Sequence, residues 1–353
     1  MITFLLKRLL GGAFILFSVI TVVFFLFSLS FPNPEKMAVG QRTDLATQEA
    51  IKKEFGLDQP RFVQYRLFVA DISPIAIHTG VYSDLKDKYR VLIAVKGANR
   101  SLLIKRPFLR KSFQSREQTE TIISQAFKGT FVLALVAIVF AALIGISLGV
   151  ISGLKANSWL DQAILFISTI GISVPSFFSA IILAWLFGFV WHDYTGLSMT
   201  GSWMDLDPFN GVFYPWKNLI LPAIALGVRP LSIFILLTRS SMLDTLNKDY
   251  IKTAISKGLS PFRILRVHAL PNALNPVITA ISGWFASLLA GAFFVEYIFN
   301  WRGLGKVTIE ALEMSDLPVV MGSILFIASI FILLNIIVDI IYVKLDPRVK
   351  LSS

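Results

Sequence analysis

The chain contains no cysteine in its 353 residues. A disulfide framework, a thiolate metal site and a thiol nucleophile are therefore excluded. Charge is also scarce: Asp, Glu, Lys and Arg make up 16% of the residues, against about 25% in an ordinary soluble domain. Only three histidines occur, His78, His192 and His268. They are too scattered for a metal site, and there is no His-Glu-x-x-His. His268 reads as a packing or capping residue rather than a proton relay. No Gly-x-x-x-x-Gly-Lys-Ser/Thr loop is present, so the chain is not expected to bind ATP. Gly303-Leu304-Gly305-Lys306 lacks both the leading glycine and the following hydroxyl residue. No acidic residue falls in the middle of a long apolar run, because Glu296 and Asp339 lie near run ends. Proton or sodium coupling normally needs such groups within the spans.

What the sequence has in excess is apolar surface. Apolar residues make up 55% and the mean hydropathy is +0.70, more than a soluble core of this size absorbs, so the excess must face lipid. Uncharged or nearly uncharged runs occupy residues 9–31, 129–154, 162–191, 217–239, 269–295 and 317–338. At 1.5 Å per residue a run of about 20 residues crosses the hydrocarbon layer. The first run is too long for a signal peptide, and Phe31-Pro32-Asn33-Pro34 is a poor cleavage site, so it reads as a retained helix. The net charge of +11 fits a positive-inside bias and anionic headgroups rather than nucleic acid.

The bias has a direction. Short segments on one side hold Lys7, Arg8, Lys155, Arg239, Lys248, Lys252, Lys257, Arg263, Arg266, Lys344, Arg348 and Lys350. Those on the other side hold Lys217, Arg302 and Lys306. The expected fold is an all-α membrane protein with six transmembrane helices and both termini cytoplasmic. Residues 1–31 form the first helix, 32–126 an extracytoplasmic region, 127–346 a five-helix core and 347–353 a cytoplasmic tail. Within 32–126, residues 43–55 and 60–70 read as helices. Residues 90–95 and 101–104 read as strands of a hairpin inside an α/β stretch over 72–106. Residues 192–217 and 296–316 read as outer loops. Gly145, Gly149 and Gly153 recur at four-residue spacing, which allows close helix packing in lipid.

The most informative polar stretch is the cytoplasmic loop 240–275. Ile251, Ala254 and Ile255 give one apolar helix face. Gly258 stands where a helix C′ residue is favoured. Ser260 and Pro261 then offer an N-cap and an N1 residue for a second short helix lined by Ile264, Leu265 and His268. A basic rim surrounds both. Such an element suits insertion into a groove on a partner protein.

This stretch resembles the EAA loop of the integral permease subunits of ABC importers, in the dipeptide, oligopeptide and nickel permease subtype. The residues that carry the resemblance are Asp249, Tyr250, Thr253, Ala254, Lys257, Gly258 and Leu259, then His268, Ala269, Leu270, Asn272 and Ala273. Lys252 stands where the general motif has Glu, a departure the subtype shares. Phe55 to Tyr65, Gly171 to Pro175 and Val295 to Gly305 are similar to other stretches of the subtype, with Arg302 where Pro is usual. Residues 72–106 depart from it.

The resemblance implies a type I ABC importer core and ATP-driven uptake of di- or oligopeptides, or of nickel or another small solute. It implies a second permease subunit, forming a heterodimer, and two cytoplasmic ATPase subunits that carry ATP and Mg. It also implies an extracytoplasmic substrate-binding protein. Asp249, Tyr250, Thr253, Ala254, Lys257, Gly258, Leu259, His268 and Asn272 would couple to the ATPases. The chain itself would bind no cofactor and perform no covalent chemistry. An ion-coupled secondary transporter is the competing class. Ser173, Pro175 and Arg229 are candidates for the translocation pathway. Arg229 lies mid-span beside Pro230 and either pairs within the bundle or lines the pathway.

Overall fold

The computed structural model describes residues 2–30, 56, 58–79, 85–86, 89–96, 100–207 and 211–345. The helix expected over 43–55, the turn at 97–99 and the tail at 347–353 lie outside the described residues. Among the described residues, four helices are long and apolar enough to cross a membrane, and two bent pairs bring the number to as many as six if each pair is one span.

Two compact units are distinguished. The first contains residues 6–126 and 307–329. In it α1 (Ile2–Ser30) packs against α2 (Arg61–Ile72). Phe24 lies 5.5 Å from Phe68, and the Thr21 hydroxyl is 2.7 Å from the Tyr65 hydroxyl. After α2 come β1 (Ile75–Thr79), β2 (Val91–Lys96) and β3 (Arg100–Lys105). They form an antiparallel sheet in the order β1-β3-β2. The sequence signalled β2 and β3; β1 is five residues long and carries a histidine, and it forms by pairing with β3. One sheet face is closed by Leu85, Tyr89 and Phe108 around Leu103. Asp71 fastens that face: it accepts from the Tyr89 hydroxyl at 2.6 Å and from Arg110 Nε at 3.0 Å, while its backbone oxygen accepts from buried Lys105. Burial and the Asp71 carboxylate together push the Tyr89 phenol well above its usual range.

The second unit is built mainly from residues 127–306. α3 (Thr119–Leu154) enters it at Phe127, and α4 (Trp159–Ser173) follows. α5 (Ser176–Leu183) widens into a π-helical stretch over Ala184–Val190. α4 and α5 are bent by 105° to each other at Val174-Pro175. The third apolar run is therefore a broken pair, not one rod: Pro175 has no N–H to continue the ladder and starts a new helix. The 192–217 stretch has one helical turn, His192–Thr195, and a ribbon of β4 (Asp205–Asp207) with β5 (Gly211–Phe213).

α6 (Lys217–Leu246) is the centre of this unit and contacts both arms of the broken pair. It runs through Arg239 without a break, so the first seven residues of the expected loop are helix. α7 (Asp249–Ser256) and α8 (Pro261–Ala273) come next, and α9 (Asn275–Gly291) leaves α8 at 49°. Residues 293–313 are not an open loop: α10 (Phe293–Ile298) and α11 (Leu304–Glu313) occupy most of them before α12 (Leu317–Leu345). The core joins Leu133, Ala134, Ala137 and Ala141 of α3 to Leu226 and Phe234 of α6, with Leu288, Val295 and Trp301. A Cβ built on Gly145, Gly149 or Gly153 would come within 2.8, 2.5 and 2.8 Å of Phe234, Thr238 and Met242. The glycine row is thus the surface on which α3 meets α6 of the same chain.

Candidate functional site

α7 is short because its sequence ends it. Gly258 has φ +73°, the left-handed region that costs a residue with a Cβ about 1–2 kcal/mol. Its N–H bonds to the Ile255 carbonyl at 2.9 Å, and the Leu259 N–H bonds to the Ala254 carbonyl at 3.3 Å. That pair of bonds is a Schellman closure, and Leu259 packs in the same apolar cluster as Ala254. α8 begins at once. Ser260 has extended backbone and its carbonyl accepts from the Ile264 N–H at 3.0 Å, but its side chain makes no cap bond. Pro261 takes the first helical position. α8 then widens into a π-helical stretch over Ile264–Ala269. Pro271 lies just beyond; its ring cannot accept normal helical packing upstream, and the wider turn relieves the clash.

The two short helices are anchored rather than pendant. Ile251, Ala254, Ile264, Ala269 and Ala273 form one buried cluster with Met242 of α6, and Val150 of α3 and Leu246 pack against it. The opposite side carries Asp249, Tyr250, Thr253, Lys257, Gly258 and Asn272, all exposed; Leu259 and His268 are half-buried, and Ala254 is buried. Ile255, expected on the packed face, is 60% exposed, as are Phe262 at 70% and Val267 at 55%. An eight-residue helix seated through two positions turns its remaining apolar residue outward. The Asn272 amide donates to the His268 carbonyl at 2.8 Å, and Lys252 reaches Asp249 at 3.0 Å. The latter pair is fully solvated and contributes little.

Two polar anchors support this end and its opposite, and neither was read from the sequence. Arg239 of α6 forks onto Asp161 of α4, with both N···O distances 2.7 Å. Asp161 also accepts from Ser152 of α3 and from the Asn157 N–H at 2.8 Å. Three helices thus meet on one buried carboxylate. The second anchor is Glu296, fully buried. It accepts from Thr130 Oγ1 at 2.7 Å and from the Gly305 and Lys306 N–H groups at 2.7 and 3.2 Å. A Cβ on Gly303 would lie 2.4 Å from that carboxylate. The Gly303-Leu304-Gly305-Lys306 turn therefore does receive a carboxyl group, and that group is the chain's own Glu296. Burial pushes the Glu296 carboxyl up to about 7, against the pull of its three donors.

Ser173, Pro175 and Arg229 are exposed. Their helices meet where Gly171 of α4 abuts Ser232 of α6. The Ser173 hydroxyl returns to the Thr169 carbonyl at 2.8 Å. No group of His, Cys, Asp and Glu capable of holding a metal occurs among the described residues.

Residues 145–351 match the family model of the binding-protein-dependent transport system inner membrane component, and residues 1–134 match its N-terminal counterpart. The chain belongs to this family. It is a membrane permease subunit of an ABC importer, in which ATP hydrolysis resides on separate subunits. The permease is 32% identical to the dipeptide transport system permease protein DppB of Alkalihalophilus pseudofirmus, over 99% of this chain and 100% of that one. It is 41% identical to DppB of Haemophilus influenzae over 68% and 76% of the two chains. The glutathione transport system permease protein GsiC of Escherichia coli is 30% identical over 99% of each. Among solved structures, an inward-facing form of the MetNI methionine ABC transporter covers 64% of the permease and 97% of its own chain. Its TM-score is 0.51 at 18% identity, a likeness of fold. The permease is an inner-membrane component and works with ATPase and substrate-binding partners.

Proposed function

We propose that this permease forms half of a pathway for di- or oligopeptides, paired with a second, homologous permease subunit. The peptide assignment is supported by the relatives named for dipeptide and glutathione transport. Six spans with both termini cytoplasmic follow if each bent pair crosses once, and the twelve-to-three distribution of basic residues supports that orientation. Residues 72–106 are then an extracytoplasmic α/β insertion. Two cytoplasmic ATPase subunits, carrying ATP and Mg, dock on the 240–275 segment, and an extracytoplasmic protein delivers substrate.

The observation that carries the mechanism is the anchorage of α7 and α8. Their inner side is fused to the ends of α3 and α6, and their outer side presents Tyr250, Ile255 and Phe262 for a groove. A rigid-body displacement of the ATPase is therefore transmitted to α6, which carries Arg229. Ser173, Pro175 and Arg229 line the pathway in this reading. ATP closure shifts the pathway between inward- and outward-open states through differential contacts with the loop. The test is uptake in vesicles reconstituted with this permease and its four partner chains. Labelled peptide should accumulate with ATP and without an ion gradient. Accumulation of nickel instead, or uptake that follows an ion gradient, overturns the assignment.

A further inference from the structure

The three-stranded sheet has one face closed and one face bare. On the bare face the register places Ile77, Leu102 and Val95 in one row across the strands, and Ile75, Ile104 and Ile93 in the next. Five of these six side chains are between 41% and 65% exposed. The rung beyond the second row holds Arg106 and Arg90, joined by the Arg106 N–H to Arg90 carbonyl bond at 3.2 Å. Both are exposed; Arg90 also reaches Glu120 at 3.1 Å. The rung beyond the first row pairs Thr79 with Arg100. The face is thus aliphatic in the centre and cationic at the end that carries Arg90 and Arg106.

Its position is limited by short tethers. α2 is held to α1 through Phe68 and Phe24, and Phe24 is six residues, about 9 Å, before the end of the candidate span Leu6–Ser30. β1 starts three residues after α2, at most about 10 Å on. The Lys105 N–H to Pro74 carbonyl bond and the Phe108 N–H to Asp71 carbonyl bond, both 2.9 Å, fix the sheet to that end of α2. The sheet therefore sits at the level where α1 leaves the bilayer.

We propose that this bare face lies on the membrane, with its two aliphatic rows against the acyl chains and its end arginines on lipid phosphates, in the leaflet where α1 ends. The composition favours lipid over a protein partner: the patch has no aromatic residue and no methionine, whereas protein interfaces are enriched in both. The arrangement of apolar centre and cationic margin is that of an interfacial element, and each margin cation is drawn to anionic headgroups. It would brace the region against tilting while α1 and α2 move. The proposal rests on membership of the membrane family and not on the peptide assignment, so the two fail separately.

The test uses the absence of cysteine in the chain. Ile77→Cys and Leu102→Cys are each labelled with a nitroxide in the assembled importer, in vesicles of phosphatidylethanolamine and phosphatidylglycerol. Glu117→Cys, exposed on the same unit, serves as a reference. The expected result is an oxygen-to-nickel-chelate accessibility ratio several-fold higher at 77 and 102 than at 117. Replacing Arg106 with Glu should lower the ratio at 102 in these vesicles. Equal, water-like accessibility at all three sites overturns the proposal, because the face is then solvated. Exclusion of both reagents at 77 and 102 overturns it as well, because a protein then covers the face.

Discussion

At Gly258 two roles of one glycine are separable. Its φ of +73° serves the turn, and a Cβ there would meet no atom within 4 Å, so the space beside it is open in the isolated chain. Asn and Asp both tolerate the left-handed region, but only Asp adds charge. Gly258→Asn should keep uptake near the parent level, and Gly258→Val should lose about 1–2 kcal/mol of local stability through the turn. Gly258→Asp should reach the membrane yet abolish uptake and ATPase pull-down if a partner groove occupies the open space. Full uptake by the Asp variant would remove Gly258 from the docking surface. Glu296 offers a second residue-level test. Its carboxyl is raised from 4.5 to about 7 by burial, so the fold favours the protonated form. That stabilisation is complete below about 4.5 and is lost as pH rises through about 7. The purified subunit should therefore melt at a higher temperature at pH 5 than at pH 8, relative to Glu296→Gln, whose amide cannot ionise. Parallel pH profiles for the two proteins would mean that Glu296 is ionised throughout.

Among the elements, α3, α4 and α6 are clamped together on Asp161. Removing Arg239 leaves a buried carboxylate with only Ser152 and a backbone amide, a cost of about 3–5 kcal/mol. Arg239→Ala should lower the unfolding transition sharply; Arg239→Lys should lower it less, because a point charge cannot fork onto two oxygens. A double change of Asp161→Asn with Arg239→Gln should recover part of the loss, and additive losses would show that the two residues are not coupled. Such junctions explain what the sequence conceals. The end of α7 and the start of α8 were legible because Gly258 and Pro261 act on their immediate neighbours, although the Ser260 side chain makes no cap bond. Asp161 and Arg239 are 78 positions apart, and nothing local marks them as partners. Pro175 announced a break, but the 105° bend depends on how α5 packs against α6. The Glu296 cradle showed in the sequence only as an incomplete glycine pattern at Gly303 to Lys306, since sequence does not say which group the turn receives.

For the assembled importer, Arg229 is the residue whose surroundings the single chain leaves open. It lies twelve residues into the span Lys217–Leu246, about 18 Å along the helix. It is exposed, and among the described residues it has no hydrogen-bond or ion-pair partner. The described residues of this chain therefore do not supply the carbonyl or acidic group that a purely internal pairing requires. A cation facing lipid there costs about 2.5–3.5 kcal/mol, so its exposed side should face the second permease subunit or water. Pro230 follows it and frees the Leu226 carbonyl from its usual helical bond, which makes the site more polar than an unbroken helix would be. If Arg229 meets the carboxylate of a passing peptide, Arg229→Gln should keep assembly and ATPase stimulation. It should slow uptake of peptides with a free C-terminus about tenfold, the equivalent of about 1.4 kcal/mol, and slow C-terminally amidated ones much less. Equal loss for both substrates, or loss of the assembled complex, would instead make Arg229 a contact between the two permease subunits.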